Sequence, residues 1–105
     1  MTESDFNVEH FFSEGVYARK MELQPGVFVP THKHVYDHLS ILGQGRVRVW
    51  VDDVITEYAA PAMITVKKNQ VHKIFALEKS VWYCIHPTEA TSPEEVDAQT
   101  VVMEN

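Results

Sequence analysis

Four of the six histidines in this 105-residue chain stand at intervals suited to holding one ion: His32, His34 and His38, bracketed by Gly26 and Gly45, and later His72. Residues two apart on a β-strand point to the same side, so His32 and His34 can close on one ion together. Val35, Tyr36 and Asp37 give the chain room to reverse. His38 can then open the neighbouring strand and project toward the same point, with His72 arriving from a separate strand. Imidazole is a neutral nitrogen donor, whereas an oxygen-only cage would suit magnesium or calcium. The expected guest is therefore one divalent transition metal per chain: iron, nickel, manganese, copper or zinc. Four neutral ligands leave such an ion its full +2 charge, which favours anionic or enolate-like oxygen ligands. An octahedral ion would keep two positions open for water, dioxygen or substrate, and a tetrahedral one none. With an open position the metal can polarise a carbonyl or acidify a water, and iron can activate dioxygen.

Supporting groups for catalysis are few. His86 shares a strand face with Trp82 and Cys84 and would serve as acid or base if that face lines the pocket. Tyr36, in the loop between ligands, would donate a hydrogen bond to a bound anion. Arg19, Arg46 and Arg48 are possible carboxylate clamps, with solvent-facing strand positions as the plainer reading of each. Asp37 would point away from the face of His38. His10, beside Phe11 and Phe12, reads as structural.

The elements that must hold these residues read as a succession of short strands. Val16 to Leu23 alternates, with Tyr17, Arg19, Met21 and Leu23 on one side. Gln24-Pro25-Gly26 is a turn, and Val27 to His34 is the strand bearing the first ligands. His38 to Leu42 is followed by Gly43-Gln44-Gly45, which reads as a hairpin turn into Arg46 to Val51, with Val47, Val49 and Val51 facing the core. Asp52-Asp53 turns the chain into Val54 to Tyr58. Met63 to Val66, Val71 to Leu77 and Val81 to His86 follow, divided by turns at Lys68-Asn69 and Glu78-Lys79-Ser80. No helical pattern intervenes, so a sandwich or barrel is expected rather than alternating helices and strands. The first 14 residues read as a tail that packs aromatics against the barrel or a partner. After Pro87 the chain turns acidic, and Ser92-Pro93-Glu94-Glu95 marks the start of a short helix. Val101, Val102 and Met103 are expected to pack on the barrel or on a second copy.

Length and composition fit one small domain, with 45% hydrophobic residues for a core. No apolar run approaches the roughly 20 residues that span a bilayer. The first residues lack the pattern of a secretory signal, so a soluble, cytoplasmic protein is expected. A net charge of -6 with nine basic residues argues against nucleic acid as a partner. Cys84, the single cysteine, cannot form an internal disulfide and reads as a small buried apolar side chain.

The run from Gly26 to Gly45 resembles the first motif of the cupins: glycine, five residues, His-x-His, three or four residues, glutamate, six residues, glycine. Here His38 stands where glutamate is usual. Some cupins carry histidine there and bind metal through four histidines, whereas glutamate would lower the net charge of the site to +1. The second cupin motif is matched at His72. Asn69 replaces its glycine, an exchange eased by asparagine's tolerance of the left-handed region, and Ala76 replaces its asparagine. The resemblance covers about residues 15 to 86. It implies an all-β, double-stranded β-helix fold, a jelly-roll-like barrel over 15–86 flanked by the tail 1–14 and the acidic segment 87–105. It also implies His32, His34, His38 and His72 as ligands, and a homodimer. The function expected is a metal-dependent enzyme acting on a small polar organic molecule, of oxygenase, isomerase, lyase or cyclase type. A non-catalytic module that binds or senses a small ligand is the alternative, and a metal that only stabilises the fold is a third.

Overall fold

A computed structural model describes residues 7–30 and 37–87, and among them every regular element is a strand. In chain order these are β1 (Asn7–Ser13), β2 (Val16–Leu23), β3 (Phe28–Pro30), β4 (His38–Gln44), β5 (Arg46–Val51), β6 (Val54–Ala59), β7 (Ala62–Val66), β8 (His72–Ala76) and β9 (Ser80–Pro87). They form two antiparallel sheets, one in the order β1-β2-β9-β4-β7 and the other β3-β8-β5-β6. The all-β expectation holds throughout the described chain.

Alternation decides which side of each strand is buried. On β2, Tyr17, Met21 and Leu23 are buried and Arg19 is half-buried. On β5, Val47 and Val49 are buried, Val51 is half-buried, and Arg46 and Arg48 face solvent, where both pair with Glu57 of β6. The plainer reading of these two arginines is therefore the observed one. Leu23, Leu42, Val47, Ile74 and Trp82 are the largest fully buried apolar side chains of the core between the sheets.

Two expectations change. Residues 7–13, read as part of a tail, form β1, paired along its whole length with β2; the turn between them is closed by Gly15 at φ 76°. The segment Gly43-Gln44-Gly45 is a corner between sheets rather than a hairpin, because β4 pairs with β7 and β9 while β5 pairs with β6 and β8. Gly45 makes this corner possible. Its φ is +92°, and a Cβ there would lie 2.3 Å from the Lys79 carbonyl oxygen and 2.3 Å from Ser80 Oγ. Gly26 also sits at positive φ, +85°, in the turn where its N–H donates to the Ala76 carbonyl at 2.8 Å. Asn69 takes φ 62°, the left-handed conformation expected of it as a stand-in for glycine. The helix expected from Ser92 lies outside the described residues.

Candidate metal centre

The space between the sheets has two chemically different ends. On the inner side of the larger sheet, Met21, Leu23, Trp82 and Leu42 make one end apolar. The other end carries Tyr17 and Arg19 of β2, Cys84 and His86 of β9, and His38 and Ser40 of β4. Such polar groups are buried together only where partners or a ligand compensate the loss of water.

His38 and His72 belong to this polar end. His38 opens β4 in one sheet and is 6% exposed, and His72 opens β8 in the other and is 3% exposed. Asp37, just before β4, is tied to the turn that leads from β7 to β8: its Oδ1 accepts the backbone N–H of Lys68 at 2.9 Å while its Oδ2 lies 3.6 Å from Lys67 Nζ. That hydrogen bond, with the two lysines adding to it, holds the Asp37 carboxyl below its ordinary pKa. Asp37 itself faces solvent, away from His38, as the alternation requires. Burial pushes the pKa of His72 down, leaving the imidazole neutral with a lone pair to offer a metal.

His32, His34 and Tyr36 lie outside the described residues, but both flanks of their segment are placed. Pro30 pairs with Lys73, the residue after His72, and the segment ends at Asp37 beside His38. Six residues, 31–36, therefore join two points at the polar end, one next to each of the other expected ligands. Among the described residues alone, no group of three or more His, Cys, Asp or Glu side chains is arranged to hold a metal.

His86 is 4% exposed and its ring centroid lies 4.3 Å from that of His38. The row continues across the sheet. Tyr17 stacks on His86 at 6.1 Å, and the Tyr17 hydroxyl and His10 Nδ1 are hydrogen-bonded at 2.7 Å. Phe12 packs on the same Tyr17 ring at 4.9 Å. The face shared by Trp82, Cys84 and His86 is thus the interior, the condition on which a role for His86 depended. Arg19 is half-buried on the same inner side, opposite Cys84 and His10 in the register, so the solvent-facing reading does not hold for it. The Cys84 thiol accepts a hydrogen bond from Ser40 at 3.9 Å, and burial pushes its pKa up, so it stays a neutral thiol. Tyr17 was the group not singled out from sequence, although the alternation of β2 puts it on the inner face.

No protein-family model matches the sequence. No curated protein matches it either. Solved structures do. The structure of KdgF from Halomonas sp. superposes with a TM-score of 0.69 at 15% identity, covering 81% of this chain and 82% of that one. A cupin superfamily protein from Desulfitobacterium hafniense gives 0.70 at 17% identity, with 83% and 81% covered. The cupin domain of an XRE family transcriptional regulator from Enterobacter cloacae gives 0.67 at 11% identity, with 80% and 99% covered. Two facing antiparallel sheets, the corner at Gly45 and these superpositions together establish that the chain has the cupin fold.

Proposed function

We propose that this protein binds one divalent transition metal through His32, His34, His38 and His72, and that the metal serves an enzyme acting on a small polar organic molecule. The observation that carries the reading is the burial of His38 and His72, which open strands of opposite sheets at the end of the sandwich away from the Gly45 corner. The donor set is chemically suited to the ion. Both described histidines are buried and His72 is held neutral, the form that ligates. Iron, nickel, manganese, copper and zinc all fit such donors. When bound, the metal would supply Lewis-acid polarisation of a substrate oxygen or acidification of a water. His86 packs on His38 and orients it, and Arg19 and Tyr17 line the same end, where they favour a polar or anionic molecule. The reaction type belongs to the oxygenase, isomerase, lyase or cyclase group. As a homodimer the chain would pair through β1, whose outer edge has no neighbouring strand among the described residues.

A second reading, a module that binds or senses a small ligand without turning it over, is favoured by one comparison: the cupin domain from Enterobacter cloacae, covered over 99% of its length, belongs to a transcriptional regulator. Metal-loaded protein incubated with a panel of small carbonyl, hydroxy-acid and sugar compounds separates the two. Oxygen uptake or product formation is the expected result, lost in His72→Ala. Saturable binding without product by calorimetry would establish the sensing reading instead.

A further inference from the structure

The outer side of the larger sheet carries a feature the metal centre does not use. Val16 of β2, Leu39 of β4 and Met63 of β7 are 42%, 45% and 70% exposed, and Leu39 pairs with half-buried Ile85 of β9. An open groove of about 330 Å³ lies among Val16, Leu39, Thr65, Ile85 and Pro87, with Asp37 and His38 at the end where it reaches the candidate metal centre. A strand face facing only water would be expected to alternate to polar residues here, and this one does not.

We propose that the groove is the docking site for the chain's own residues 88–105. Three observations point to this occupant. The segment starts where the groove lies, because Pro87, the last residue of β9, is one of its walls. Its eighteen residues have the reach: strands lie about 4.8 Å apart, so the four strands from β2 to β7 are crossed in about 15 Å, and eighteen residues span about 27 Å even when fully helical. Its composition is complementary. It carries Val96, Val101, Val102 and Met103, aliphatic side chains of the kind the apolar groove takes. The groove has room for a few aliphatic side chains, which a folded-back segment supplies more readily than the flat sheet of another copy. The docked segment covers the exposed apolar face.

The test uses the full chain carrying Met63→Cys and Val102→Cys under mild oxidation, with Val54→Cys and Val102→Cys as the control, since Val54 is exposed on β6 of the other sheet. Docking predicts an intramolecular disulfide in most chains of the first pair and not of the control. A bond between two chains would overturn the proposal in favour of a second copy, and equal, low cross-linking in both pairs would overturn it outright. A second measurement needs no cysteines. Hydroxyl-radical oxidation of Met63 is expected to be slow in the natural chain and several-fold faster in Val101→Asp/Val102→Asp; rapid, unchanged oxidation in both would contradict docking.

Discussion

The chemistry of the candidate centre depends on a few side chains whose protonation and orientation are set by neighbours. His72 is the clearest case. Its pKa lies below the ordinary 6.5 because burial disfavours the charged ring, so the folded state binds fewer protons than the unfolded one just below that value. The stability it contributes is complete above about pH 6.5 and is lost as pH falls toward the depressed folded value. Urea denaturation of metal-free protein should therefore show a lower midpoint at pH 5.5 than at pH 7.5, with the difference shrinking in His72→Gln. Asp37 acts in a lower window: its carboxyl is held down by the Lys68 N–H and Lys67, so its contribution persists above about pH 3.8 and fades below. Asp37→Asn should flatten that part of the acid limb. His86 rests against His38, and outer partners of ligating histidines typically matter by about 10- to 100-fold in metal affinity. His86→Ala should weaken metal binding by about that factor, read by competition with a chromophoric chelator, while His86→Phe, which keeps a ring against His38, should lose less.

Strand identity follows from alternation, and β5 buries Val47 and Val49 as expected; for β2 and β9 alternation sorts the residues into two sides without saying which is inner, which is why Arg19 reads as solvent-facing from sequence. Strand partners are another matter. Gly43-Gln44-Gly45 has the residues of a tight hairpin turn, and glycine signals the same backbone freedom whether the chain reverses within a sheet or crosses between two. Only the approach of Lys79 and Ser80 to Gly45 distinguishes the corner, and that approach depends on residues more than thirty positions away. Strand β1 was hidden for a related reason: an edge strand with one neighbour has weak alternation, and Phe11 and Phe12 are adjacent, both with exposed area. The corner makes a prediction. Gly45→Ala forces a positive φ and a backbone clash, and should destabilise by about 2 kcal/mol or more in urea unfolding, whereas Gly43→Ala, which meets the edge of the Tyr83 ring at 3.1 Å, should cost less. Leu42→Ala, at a fully buried position, should cost about 2–5 kcal/mol.

Across the whole molecule, the division of the interior into an apolar end and a polar end explains how a chain of this size can hold a site. The core of Trp82, Leu23, Leu42, Val47 and Ile74 carries the packing, leaving the opposite end to polar residues whose burial a metal would help compensate. The expected ligand set is legible in the histidine spacing alone, and the fold brings two of its members, His38 and His72, to one end. The ring row through Tyr17, His86 and His38 was not legible, because it joins β2, β9 and β4, neighbours that are far apart in sequence. If the metal belongs to this fold, its binding must stabilise it. Metal at 100 times its Kd should add about 2.7 kcal/mol, a rise in Tm on the order of 10 °C for a domain of this size.

The central claim is tested most directly by elemental analysis, with plasma mass spectrometry, of protein expressed without a histidine tag, the natural chain beside His34→Ala, His38→Ala and His72→Ala. About one equivalent of a single transition metal is expected in the natural chain, with a large loss in each variant that remains folded. Natural protein that is free of metal and refuses added metal, or variants that keep it, would rule out a metal centre at these histidines.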